Sequence, residues 1–247
     1  MCLRTLVIVA AGIALGGLIA PSRARAERNY RVYDTFTDPY DVRFIQNHPP
    51  DIRPQTYRWR WLNGSGNTVV TQGVAKNIGG TTREAWMFYA ELHDANVAVD
   101  YISGSASPHG GLLFRHIGPN AYFMLEANGP TLYRNDYGYP QYLGSGGHSV
   151  HAGERHRLEV RLEGPTIDVY FDSAFQFRIS DWTYANGDSH GFYYDAPTDP
   201  TAVFDNFEIS YLTPAPPPCT YAVSPLGNTI PPDPYSGTIS VSTQPGC

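Results

Sequence analysis

Lysine is almost missing from this 247-residue chain, where Lys76 is the only one. Acids outnumber Lys and Arg by 23 to 17, and the net charge is −6. A chain with this balance lacks the basic surface that nucleic acid or an anionic membrane requires. Cysteine is scarce as well, limited to Cys2, Cys219 and Cys247, so no cysteine pair stands near the histidines to fix a metal. No long stretch carries helical periodicity and no repeat is visible, which argues against bundles and solenoids. What is plentiful is tyrosine, glycine and proline, at 18, 24 and 21 residues. Aromatic, turn-rich composition suits many short strands.

The first 26 residues read as a secretory signal peptide. Arg4 supplies the positive start, Leu6–Ala20 is apolar and uncharged, and Ala24-Arg25-Ala26 is a small-x-small cleavage site. The apolar run is shorter than the roughly 20 residues of a membrane span. Cleavage would remove Arg4, Arg23 and Arg25 and no acid, taking the charge from −6 to −9. The expected location is secreted, periplasmic or cell-surface, without membrane insertion. The sequence does not speak to oligomeric state.

Residues 27–212 read as one all-β domain. An opening strand is predicted at Asn29–Asp38, followed by an irregular Pro- and Asp-rich excursion to Gln55. Tyr57, Trp59 and Trp61 alternate with Arg58 and Arg60, predicting a strand with one aromatic face. Thr68–Val74 is its return. Trp86–Leu92, Asn96–Ser103, Arg155–Leu162, Thr166–Asp172, Ala174–Ile179, His190–Asp195 and Ala202–Ser210 are further strands. Tyr137–His151 reads as a long loop. Phe204 and Phe207 have opposite parity, so burying both requires a bulge at Asp205-Asn206. About a dozen strands with turns every 8–12 residues imply a sandwich or barrel, its first and last strands side by side.

The clearest object is Gly111–Asn135. Pairing Phe114 with Phe123 places Leu112, Phe114, Phe123, Leu125 and Leu132 in a core row. The other row is Leu113, Arg115, Tyr122, Met124, Glu126 and Tyr133, mixed in character, with Arg115 expected opposite Tyr122 on an accessible face. Sugars are held by flat aromatic surfaces and planar polar groups. Arg115, Tyr122, Glu126 and Tyr133 are therefore the candidate carbohydrate contacts, with Tyr137, Tyr139, Tyr142 and Trp182 rimming them from loops.

After Tyr211 the composition changes. Residues 213–218, Thr-Pro-Ala-Pro-Pro-Pro, form a stiff linker. Residues 219–247 carry two expected strands, Tyr221–Ser224 and Thr238–Thr243, bracketed by Cys219 and Cys247. In an exported protein these cysteines can pair with each other, for about 3–4 kcal/mol by loop entropy, or with another chain.

Asp34-Thr35-Phe36, the Gly111–Arg115 stretch, Asn120–Leu125, Arg157–Leu162, Ile167–Asp172 and Phe204–Phe207 together resemble the concanavalin A-like lectin/glucanase superfamily. The nearest likeness is to its laminin-G-like and 3-keto-disaccharide-hydrolase-like jelly rolls. The resemblance implies two antiparallel sheets packed as a jelly-roll sandwich. It also implies that a structural Ca²⁺ would be held by Asp34, Asp38 and Asp205, since a hard cation takes oxygen donors; no other cofactor is required. Cys219, Tyr221, Ser224, Pro225, Gly246 and Cys247 resemble the start of a BACON-like domain, a family taken to bind glycans or to act as a spacer.

Catalytic signatures are missing. Glycosidases need two carboxylates across a cleft, and the laminarinase-type Glu-x-Asp-x-x-Glu string does not occur. The Arg, Gln-x-His and Tyr pattern of alginate lyases is absent too. Gly147–His151 follows a nucleophile elbow for three residues but lacks its final glycine. His148, His151, Glu154 and His156 are close in sequence without a rigid element to shape a metal site. The expectation is an exported, non-catalytic carbohydrate-binding module, with polysaccharide as partner. The alternatives are a glycan hydrolase of the keto-disaccharide type and a structural or adhesive surface protein.

Overall fold

The computed structural model describes residues 30–38, 43–54, 57–64, 66–79, 83–105, 109–195, 197–212, 221–224 and 240–243. The expected signal segment, the proline linker, and Cys219 and Cys247 with their expected pairing lie outside these residues. The strands in chain order are β1 (Tyr30–Asp34), β2 (Arg43–Phe44), β3 (Arg60–Asn63), β4 (Thr68–Thr71), β5 (Val74–Asn77), β6 (Arg83–Tyr89), β7 (Ala95–Ile102), β8 (Gly111–Gly118) and β9 (Ala121–Glu126). They continue as β10 (Thr131–Asp136), β11 (Tyr139–Ser145), β12 (Arg155–Glu163), β13 (Thr166–Phe171), β14 (Ala174–Ser180), β15 (Ser189–Asp195), β16 (Val203–Ser210), β17 (Tyr221–Ser224) and β18 (Ser240–Thr243). Among the described residues there is no α-helix.

Two antiparallel sheets form a sandwich. The nine-stranded sheet runs β14-β13-β12-β7-β16-β5-β4-β2, with β1 also on β16; the seven-stranded sheet runs β11-β10-β9-β8-β15-β6-β3. The first and last strands of the domain are thus paired, as expected. β17 and β18 pair with each other in a separate two-stranded sheet.

The core is built by the predicted alternation. Leu112 pairs with Leu125, and Phe114 with Phe123, whose rings stack at 5.5 Å. Both are buried with Leu132, Val97, Val99, Leu158, Val160 and Leu162. Phe192 packs between Trp59 at 5.0 Å and Phe204 at 4.6 Å, which ties the sheets together. Burying a side chain of this size stabilises by about 1.5–3 kcal/mol. The bulge in β16 forms where the parity demanded it: the register shifts between Asp205 and Glu208, Asn206 takes φ +48°, and Phe204 and Phe207 are both buried.

Four local expectations are corrected. Residues 68–74 are not one strand, because Gln72 and Gly73 take φ +53° and +73° and close a tight β4–β5 hairpin. The Tyr57–Trp61 strand is shorter than expected: pairing begins at Arg60, with Tyr57 and Trp59 packed on the core and Trp61, in register with the core residue Trp86, left exposed on the edge strand. Residues 137–151 are not all loop, since Tyr137-Gly138 turns the chain with φ +54° and +102° and β11 pairs along β10. Finally, β8 runs on to Gly118, and its register with β9 breaks between Phe114 and Gly118. That break decides the fate of Arg115.

Candidate functional site

Residues of core parity in the seven-stranded sheet face the other sheet. The opposite parity makes its outer face, where adjacent strands bring a defined row together. Met87 pairs with Gly191, Gly191 with Leu113, Leu113 with Met124, Met124 with Tyr133, and Tyr133 with Tyr142. The neighbouring row is Ala85, Tyr193, Gly111, Glu126 and Thr131. Ala85, Met87, Leu113, Tyr122 and Tyr193 form a second apolar cluster, supported by Leu62 and Met124 and separate from the core.

The face is shaped by two glycines. A Cβ on Gly111 would lie 1.9 Å from the Leu125 carbonyl oxygen, and one on Gly191 would lie 1.8 Å from that of Trp86. Neither position accepts a side chain, so the sheet is bare between the larger residues around it. One small depression, of about 40 Å³, is lined by Tyr193, Tyr122, Leu113, Met124, Arg83 and Asn63. A second, of about 170 Å³, is lined among others by Trp61, Met87, Tyr89 and His116.

Polar groups are few and specifically placed. Gly111 stands in register between Glu126 and Tyr193, leaving those side chains facing each other over bare backbone. Burial holds the Glu126 carboxyl above its ordinary range, against the opposing pull of His109, Tyr193 and Arg83. Burial, followed by the charge of Glu126, pushes the Tyr193 phenol well up. The Tyr193 Oη is buried with Glu126 as its polar neighbour and no well-formed hydrogen bond. A hydroxyl left so incompletely satisfied costs up to about 1–3 kcal/mol unless something external completes its bonding. At the rim, Arg83 donates to Asp195 at 3.0 and 3.1 Å, and His109 lies 3.5 Å from Glu126. In the second depression, burial lowers the His116 pKa, and its Nε2 has no partner.

The candidate contacts read from the sequence divide into four groups. Tyr122, Glu126, Tyr133 and Tyr142 share the outer face. Tyr137 and Tyr139 sit instead at the β10–β11 turn. Trp182 lies in the β14–β15 loop, which is held by Arg134, a residue of core parity, through Asp181 at 2.6 Å. Arg115 is corrected outright. It is fully buried, in the bulge at φ +51°, and its Nη2 donates to the Gly164 carbonyl at 2.5 Å. It neither faces Tyr122 nor reaches the accessible surface, because the bulge turns it toward the β12–β13 turn. Tyr122 itself is only 8% exposed, so it belongs to the wall of the depression rather than to an open platform.

The acids implied for calcium are engaged elsewhere. Asp34 accepts from Trp59 Nε1 and lies 2.8 Å from His48 Nε2, while Asp38 lies 3.0 Å from His48 Nδ1. Asp205 accepts from Arg155 at 2.7 Å. Among the described residues no group of three or more His, Cys, Asp or Glu side chains is arranged to hold a metal. In the His148–His156 segment, Glu154 bridges His151 and His156 at 3.1 and 3.2 Å, and Phe171 lies between the rings of His148 and His156.

Tyr193, Arg83, His109 and His116 were not singled out by sequence reasoning. The signal for Tyr193 was present in Gly191–Asp195, where alternation alone separates Tyr193 from Phe192 and Tyr194.

No family model and no curated protein matches the chain. Among solved structures, one of endo-acting O-glycanases that initiate mucin breakdown, from prominent members of the human gut microbiota, is similar. It has 12% identity over 75% of this chain and 100% of that one, with a TM-score of 0.53. The carbohydrate-binding module CBM66 from Bacillus subtilis has 17% identity, 62% and 94% coverage and a TM-score of 0.49. Domain 4 of the extracellular arabinanase AbnA from Geobacillus stearothermophilus, in complex with arabinotriose, has 13% identity, 76% and 95% coverage and a TM-score of 0.48. At such identities the likeness is one of fold alone, a sandwich of two antiparallel sheets.

Proposed function

We propose that this chain is an exported, non-catalytic carbohydrate-binding module whose site is the outer face of the seven-stranded sheet. The observation that carries the reading is the buried Tyr193 Oη, incompletely hydrogen-bonded beside Glu126, in a sheltered depression. A sugar hydroxyl satisfies both groups at once, since it donates and accepts. The surrounding Met124, Leu113, Tyr122 and Tyr133 offer the apolar and aromatic walls against which C–H faces pack. The sandwiches of similar fold named for carbohydrate-binding modules and O-glycanases support the same direction. We further assign residues 219–247 to a partial BACON-like segment closed by Cys219–Cys247.

The test is a glycan array carrying plant polysaccharide oligomers and mucin O-glycans, probed with the wild-type chain and with Tyr193→Phe and Glu126→Gln. Loss of a hydroxyl that a buried site pairs with its ligand costs about 1–3 kcal/mol. Tyr193→Phe is expected to weaken retention by about tenfold while leaving the melting temperature unchanged or raised. Equal retention by wild type and Tyr193→Phe would overturn the site. A second reading, hydrolysis, is favoured by the Glu126 carboxyl, which burial holds in its protonated form to a higher pH, as a general acid requires. Asp195, the acid of the same face on β15, is taken by Arg83. Release of reducing ends from any polysaccharide would establish that reading in place of the first.

A further inference from the structure

Tyr137, Tyr139 and Trp182 are the three most exposed large apolar side chains of the described residues, at 71, 74 and 75%. They come from two separate segments, the β10–β11 turn and the β14–β15 loop, and one ion-pair network binds these together. Arg134 donates to Asp136 at 2.8 Å, to Asp181 at 2.6 Å and to the Thr183 hydroxyl at 3.2 Å. Tyr184 then returns from the loop to Asp136 at 2.9 Å, with its ring edge against Phe123 in the core at 5.9 Å. The turn is fixed independently by Tyr137 N donating to the Asn120 carbonyl at 2.8 Å and by Gly138 N donating to Asn135 Oδ1 at 3.0 Å.

A loop pair tied this firmly fixes the backbone that carries three solvent-facing rings before anything binds. An anchored backbone lowers the ordering cost of binding, and aromatic side chains, with few χ angles, add little to it. The charge of the tip selects among occupants. Among the described residues of the tip the cation is Arg134, consumed by Asp136 and Asp181, which leaves a phosphate-bearing surface no free positive group among them. Phenol and indole rings with polar edges in such a neutral-to-acidic setting suit the C–H faces and hydroxyls of a neutral sugar chain.

We infer that this tip is a second saccharide-contacting surface, separate from the outer sheet face, which engages the same polymer at another point along its length. The inference rests on the reading of the outer face as a glycan site and extends it from one contact to two. Two linked contacts raise retention on a polymer without raising affinity for a short oligomer.

The experiment compares wild type, the triple variant Tyr137→Ala/Tyr139→Ala/Trp182→Ala, and Tyr193→Phe. Each is measured on immobilised gastric mucin, insoluble xylan and cellulose, and against soluble oligosaccharides of the same polymers. Melting temperatures confirm that each variant is folded. The triple variant is expected to lose about tenfold or more in retention on the polymer that wild type binds, with affinity for its short oligomer unchanged. Tyr193→Phe is expected to weaken both. Undiminished polymer retention by the triple variant overturns the inference and leaves the outer-face site standing. Parallel loss of oligomer affinity also overturns it, because the rings would then belong to one site. Binding of wild type to phosphatidylcholine–phosphatidylserine vesicles, lost in the triple variant, assigns the tip to membranes and overturns it as well. If wild type binds no polymer and no oligomer, the outer-face reading falls, and this inference with it.

Discussion

His48 is the residue whose replacement should disturb this fold most informatively. Its ring is buried between two carboxylates, with Nε2 2.8 Å from Asp34 and Nδ1 3.0 Å from Asp38. Two acceptors on one imidazole call for a proton on both nitrogens. Burial by itself would lower the pKa, but the hydrogen bonds and charges of Asp34 and Asp38 outweigh it, and the net shift is upward from 6.5. The folded state therefore holds the proton more tightly than the unfolded chain. That stability is fully present below the unfolded pKa and is lost as pH rises through the folded one. Between the two pKa values the slope approaches about 1.4 kcal/mol per pH unit. His48→Gln removes the cation and leaves two carboxylates close together. Asp34 keeps the Phe36 amide at 2.7 Å and the Trp59 indole at 2.8 Å, and Asp38 keeps Arg43 at 3.1 Å. Breaking one partner out of a buried ionic group costs about 3–5 kcal/mol, which for a domain of this size lowers the melting temperature by about 6–20 °C. Thermal melts of wild type and His48→Gln from pH 6 to pH 9 should converge as pH rises. A constant gap between the two curves, or a wild type that gains stability over that range relative to the variant, would refute the charged Asp–His–Asp arrangement.

Two further substitutions probe the sheet beneath the site. Arg115 is a buried guanidinium whose Nε and Nη1 have no partner, and burial lowers its pKa. Arg115→Met should therefore be neutral or stabilising by about 1–4 kcal/mol, and a clear fall in chemical-denaturation midpoint would show that the Gly164 contact outweighs the cost of burying the charge. Gly191→Val forces a Cβ into the Trp86 carbonyl and should cost more than about 2 kcal/mol with loss of β6–β15 pairing, read by amide exchange at Met87 and Gly191; wild-type protection in the variant would contradict the close approach.

Most of the secondary structure was legible because burial imposed a strict period of two. Leu158, Val160 and Leu162 against Arg157, Glu159 and Arg161 could be only a strand with one dry face. The same logic fixed the Phe114–Phe123 register and demanded the β16 bulge. Legibility failed where a short irregularity changed parity without leaving a distinctive composition. Gln72-Gly73 lacks the usual Asn-Gly turn signature, and Tyr137-Gly138 was hidden in a Gly- and Tyr-rich stretch that also fits a loop. Arg115 is the sharpest case. An insertion in β8, two residues against β9 and one against β15, swung it from the expected outer row into the interior, and alternation counted from either end of the strand could not show where the count would slip.

The amino-acid order by itself determined the class of the fold, the paired terminal strands of the domain and the membership of the core, because each follows from local periodicity and from the need to bury apolar surface. It also named Glu126, Tyr122 and Tyr133 as neighbours, since they lie on one meander. Which strand completes their surface was a tertiary decision. β15 enters beside β8 from more than seventy residues downstream, bringing Tyr193 across Gly111 to Glu126, and β6 follows with Arg83. Likewise only the packed structure separated Tyr137, Tyr139 and Trp182 from that face, because the Arg134 ion pairs that hold them join segments remote in sequence. Pairings between distant strands depend on the whole sandwich closing, and nothing in the local pattern of either partner encodes them.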